Sequence, residues 1–148
     1  MTYGILFLLH ILAATVWTGG HLVLALAVLP RVLREKSPSE LLRFESAYER
    51  IGIPAMLMQV ATGIWLAYRL VPEVGQWFAF DDPAARLIGI KLLLLVATVA
   101  LAADARLRII PKLSQGNLIA LAWHIVPVTV ISVLFVVVGV SFRTGWFV

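Results

Sequence analysis

Four ionisable side chains stand inside long apolar runs of this 148-residue chain: His10, His21, Lys91 and His124. A group of that kind in hydrocarbon is costly unless it is paired or ligated, so each is a candidate for function. Neutral imidazoles are ligands for iron and copper, and a lysine can hold a carboxylate. His10 and His21 lie eleven residues apart. At about 100° per residue that returns them to one helix face within about 20°, at depths about 16 Å apart. Counting from matched run ends places His21 and His124 at one level of the membrane and His10 and Lys91 at the other.

Two imidazoles converging from two helices meet the axial requirement of a six-coordinate b-type haem. Gly19 and Gly20 beside His21, with Gly63 and Gly89 on neighbouring runs, clear space for a flat ring. Propionates would then point to arginines at the same end, Arg31 and Arg50 first among them. One haem is expected between His21 and His124, and a second could use only His10, with Lys91 opposite. Copper competes for the same atoms, because His21, His124 and Met56 are close in depth and imidazole with thioether suits Cu(I). Met58 stands about 200° round the helix from Met56, so the two cannot enter one site. The plain alternative is that the histidines bond backbone carbonyls or hydroxyls of neighbouring helices and that Lys91 snorkels to the interface.

The elements that must position these groups follow from composition. The chain is 61% hydrophobic and 14% charged, more apolar than a single soluble core can use, so lipid is part of its solvent. Four runs, at roughly 3–29, 52–71, 84–104 and 118–141, reach the length of about 20 residues that spans a bilayer. The expected fold is an all-α, integral membrane, up-down-up-down four-helix bundle forming one domain over 1–148. The net charge of +4 sits in short segments between the runs, not in a stripe, which argues against nucleic acid. With no cysteine in the chain, disulfides, iron–sulfur clusters and thiolate sites are excluded. The first run lacks a basic leader and cleavage site and is expected to stay in the mature protein.

Arg31, Arg34, Lys36, Arg43 and Arg50 fall in the first connection, and Arg106, Arg108 and Lys112 in the third. The positive-inside rule predicts both connections on the cytoplasmic side of a bacterial-type inner membrane and both termini outside. Ser37-Pro38-Ser39-Glu40 matches a capping box and predicts a short interfacial helix over about 38–50, separate from the second span.

Leu9-His10-Ile11 with Trp17, Leu29-Pro30-Arg31, Tyr48-Glu49-Arg50-Ile51 leading to Pro54-Ala55-Met56, Thr62-Gly63, Ile90-Lys91-Leu92-Leu93 and Val126-Pro127 occur in order along all four runs. Together they resemble the membrane superfamily of CopD-type copper resistance proteins and HemJ-type protoporphyrinogen oxidases. The resemblance implies a haem-associated four-helix protein in which His10 and Lys91 match the important polar residues of the HemJ type, Lys91 being the catalytic candidate. The chain departs from the HemJ type where it reads Ala102-Ala103-Asp104 and Trp123-His124-Ile125, and in having His21. The leading expectation is a small membrane b-type cytochrome that exchanges electrons with a quinol, a metal or a small oxidant. A copper uptake or resistance protein and a HemJ-like oxidase are the alternatives, and a bundle this small, with glycine-bearing faces and flat apolar surfaces, could self-associate, no one face being singled out.

Overall fold

The computed structural model describes residues 1–147 and is helical throughout, with no strand among the described residues. Four helices are long and apolar enough to cross a membrane: α1 (Thr2–Glu35), α2 (Pro38–Leu70), α3 (Pro83–Lys112) and α4 (Gln115–Thr144). The protein is therefore a multi-pass membrane protein. Side chains such as Leu26, Val96 and Ile119 stand exposed on its outside, where lipid replaces water.

Prolines shape these helices. Pro30 and Pro111 lack the N–H that would bond the carbonyl four residues back, and each stands two residues beyond a π-helical stretch, Leu24–Val28 and Ala105–Ile109. Pro38 and Pro83 instead occupy first turns, where no N–H is needed, and Asp82 Oδ2 accepts the Ala85 N–H at 2.7 Å. The expected capping box does not close. Ser37 makes no capping bond, and the Glu40 carboxylate takes the Arg31 guanidinium at 2.6 Å, a stronger donor than a backbone N–H. Nor is the interfacial helix separate. Residues 38–70 form one continuous helix that passes through Pro54, which costs one backbone hydrogen bond without breaking the apolar stripe.

Packing is uneven along the bundle. At the basic end, Leu24, Val28, Leu29 and Val32 of α1 meet Leu41 of α2, Ala105 of α3 and Leu118, Leu121 and Ile125 of α4 in one buried cluster. The end carrying both termini holds only a small cluster of Val71, Trp77 and Ile88. Around the bundle, α2 lies against α1, α1 against α4 and α4 against α3, whereas α2 and α3 have no packed face in common. An ion pair between Glu49 and Arg106 joins α2 to α3 at the basic end. At the other end the connection between them folds over the gap, held by the buried Trp77 whose Nε1–H donates to Val71 O at 2.8 Å.

Candidate functional site

The gap between α2 and α3 widens into a cavity of about 980 Å3 in the half of the bundle nearer the termini, with α1 and α4 as its back wall. His10 comes to it from α1. Thr62 Oγ1 uses its hydrogen on Met58 O at 2.6 Å, so it accepts the His10 Nδ1–H at 2.8 Å. That fixes the tautomer and leaves Nε2 as the lone-pair nitrogen, which receives the Gln59 amide at 3.2 Å. Gly63 makes room for the ring: a Cβ there would sit 3.1 Å from His10 Cε1. Met56, one turn before Gln59, lines the same cavity, while Met58 faces away from it.

Lys91 enters from α3, its Nζ beside Gly139 and 5.7 Å from the centre of the Phe142 ring. Two arginines line the outer part of the cavity. Arg143 lies over Phe7 at 5.5 Å and donates to Tyr3 Oη at 3.3 Å, and Arg69 lies over Trp65 at 5.6 Å. Among the described residues none of these three basic groups has a carboxylate partner, and no Asp or Glu lines the cavity. Two polar atoms of lining residues, Gln59 Oε1 and Thr98 Oγ1, are buried with no hydrogen-bond partner.

The other two histidines are placed differently. His21, 8% exposed, donates Nδ1–H to Trp17 O at 2.8 Å, packs on the Trp17 ring and meets the edge of Tyr48. The Tyr48 hydroxyl bonds the same carbonyl at 2.9 Å, and Gly20 has no side chain because the Tyr48 ring lies against its Cα. His124 bonds Ala120 O at 2.9 Å and Asp104 Oδ2 at 2.8 Å, and Asp104 also pairs with Arg108 at 3.1 Å. Both His124 nitrogens thus face oxygens, and neither is aimed at an open ligand position. His21 and His124 belong to separate hydrogen-bonded sets on different helix pairs, and neither lines the cavity. Arg31 is tied to Glu40, and Arg50 is exposed at the basic end, away from the cavity.

The structure brings His10 and Lys91 to one cavity and does not bring His21 and His124 together. Sequence reasoning missed Arg69, Arg143, Gln59 and Thr98 as parts of the site. Depth counting, applied to the arginines as to the histidines, places Arg69 and Arg143 in the same half of the bundle as His10 and Lys91, nearer the membrane surface. The two unpartnered polar atoms have no sequence signal. No group of three or more His, Cys, Asp or Glu side chains that could hold a metal ion occurs among the described residues. A closed copper site of that kind does not fit them. A flat dianionic group such as haem would fit the cavity on its volume and its basic lining.

Fold and site together define a four-span helical membrane protein with a basic-lined cavity between its helices. Residues 42–142 match the family model of Copper resistance protein D (CopD), and the chain belongs to that family. The match takes in most of α2, all of α3 and most of α4 and leaves α1, with His10 and His21, outside it. No curated protein and no solved structure matches the chain.

Proposed function

We propose that the protein handles copper at the membrane, in resistance or uptake, with the cavity as its working part. What carries this reading is the family match, which covers the α2 and α3 walls of the cavity. Its geometric support is that His10 and Met56 line that cavity, and imidazole with thioether is a donor pair that suits Cu(I). Copper is cargo here. A donor set this incomplete suits passage over storage, because an ion must leave as readily as it enters. His10 Nε2 would exchange its bond from Gln59 for the metal, while Thr62 keeps the ring in place.

Expression in copper-challenged cells is expected to change copper tolerance and cell copper content, with His10→Ala and Met56→Ala abolishing the change. If the wild-type protein alters neither quantity and binds no Cu(I) when purified, the copper reading fails.

A second reading, haem b in the same cavity, is favoured by the three basic groups that lack acids, because they suit propionates better than a resting cation. His10 Nε2 would ligate the iron, and Lys91, Arg69 and Arg143 would hold the carboxylates. Haem, when bound, supplies one-electron exchange, with a quinol or copper as partner. The His21–His124 ligand pair remains an alternative that requires His124 to leave Asp104. A reduced-minus-oxidised absorption spectrum separates these. Bands lost in His10→Ala and kept in His21→Ala and His124→Ala put the haem in the cavity, the reverse pattern puts it at the basic end, and a colourless protein ends the reading.

A further inference from the structure

We propose that the cavity is entered sideways from the bilayer, through the slot between α2 and α3, by an acidic amphiphile whose carboxylate or phosphate lodges between Arg69 and Arg143 with Lys91 below. The slot is the first observation. It is framed at the basic end by the Glu49–Arg106 pair and at the other by the connection that Trp77 pins, so the open direction is toward lipid. Its flanks and back are apolar, with Val60 and Ile64 on α2, Leu92 and Leu95 on α3, and Phe135 and Val136 on α4. An acyl chain or flat ring system meets there the kind of surface it leaves in the bilayer.

The second observation is charge. Lys91 is part-buried in the apolar wall with no acid beside it, and Arg69 and Arg143 stand exposed at the cavity mouth, where this chain again supplies no anion. Arg69 and Arg143 are held over Trp65 and Phe7, so their guanidinium groups are set in place beforehand instead of ranging through the interface. The third observation is independent of charge. Thr98 is 2% exposed, lines the cavity and has no partner for its hydroxyl. A buried hydroxyl left unpaired is costly, and this one is sealed just behind the cavity wall, where a small shift of the wall around a guest would let it find a partner. A cavity of about 980 Å3 lies at the top of the range of roughly 300–1,000 Å3 typical of small-molecule sites, so one chain or ring system with one acidic head is the occupant.

This proposal depends on neither metal of the preceding section. Trp17 and Trp77 line the cavity, so quenching of tryptophan fluorescence by a brominated long-chain fatty carboxylate reports entry into the full-length protein in neutral detergent. The carboxylate is expected to bind roughly tenfold more tightly than the matching brominated alcohol, about one charge-assisted hydrogen bond's worth. Arg69→Gln with Arg143→Gln removes that preference, Lys91→Met weakens it, and Arg34→Gln, exposed at the basic end, leaves it unchanged. Vesicles with brominated phosphatidylglycerol or brominated phosphatidylcholine form the second arm. Preference for the anionic lipid there, without one for the free carboxylate, keeps the head-group chemistry and makes the bilayer's own lipid the source. Equal binding of acid and alcohol together with equal quenching by both lipids overturns the proposal, as does a preference that survives both arginine substitutions. A purified dimer that shields Trp17 and Trp77 from every quencher also overturns it, the slot then being a subunit contact.

Discussion

The two ends of this bundle carry similar polar inventories and use them in opposite ways. At the basic end His21, Tyr48, His124 and Asp104 satisfy one another and the backbone, beneath a cluster drawn from all four helices. At the end with the termini His10 is satisfied too, but Lys91, Arg69 and Arg143 bring charge without an acid to a cavity, and Gln59 and Thr98 each keep a buried polar atom without a partner. A histidine inside a membrane helix is therefore no guide to function by itself. What separates the two ends is whether helix packing has closed around the polar groups or stopped short of them.

That contrast can be broken by substitution. Leu41 is 1% exposed at the basic end, and Leu41→Ala is expected to lower stability by about 2–5 kcal/mol in detergent melts. Leu95→Ala, on the cavity wall, should cost less than about 1 kcal/mol, because little packs against the lost atoms. Equal losses at the two positions would mean the cavity is not open. Gly20→Val forces the Tyr48 ring off its seat and is expected to cost about 1–3 kcal/mol, read as a lowered melting temperature. Tyr48→Phe removes the hydroxyl's contacts, chiefly the bond to Trp17 O with longer ones to Val16 O and His21 Nδ1, and should cost about 1 kcal/mol in the same assay. Asp104→Asn is likewise expected below about 1 kcal/mol, since the carboxylate is 38% exposed and water can replace it. That last variant also sharpens the comparison. If it creates a haem or copper signal that disappears again on His124→Ala, the Asp104 bond was what kept His124 from serving as a ligand.

Much of the architecture was legible beforehand. Four apolar runs of spanning length, prolines near their ends and basic connections were enough for an all-helical membrane bundle, because hydrocarbon leaves a chain few ways to satisfy its backbone. Depth counting placed His10 and Lys91 at one level, and they share a cavity. The same counting put His21 and His124 at one level, yet level is only one of the coordinates needed for contact. The other is rotation about each helix axis, and the Trp17 carbonyl with the Tyr48 ring for His21, and Asp104 for His124, set it differently for the two rings. The expected interfacial helix is instead the first part of α2, because a proline inside a long helix, here Pro54, can be carried through.

By itself the sequence determined that the chain crosses the membrane four times, that its ionisable groups lie at two depths, and that thiolate chemistry is absent. Those are properties of length, composition and spacing along one axis. Only the tertiary structure decided which faces meet: that α2 and α3 stand apart, that the basic side chains near the termini gather round the space between them, and that His124 is bound to Asp104. Helix faces in lipid are nearly equal in apolarity, so the pattern of hydrophobic residues says little about which neighbour each will choose. Small residues and a few polar contacts make that choice, and their partners are distant in sequence.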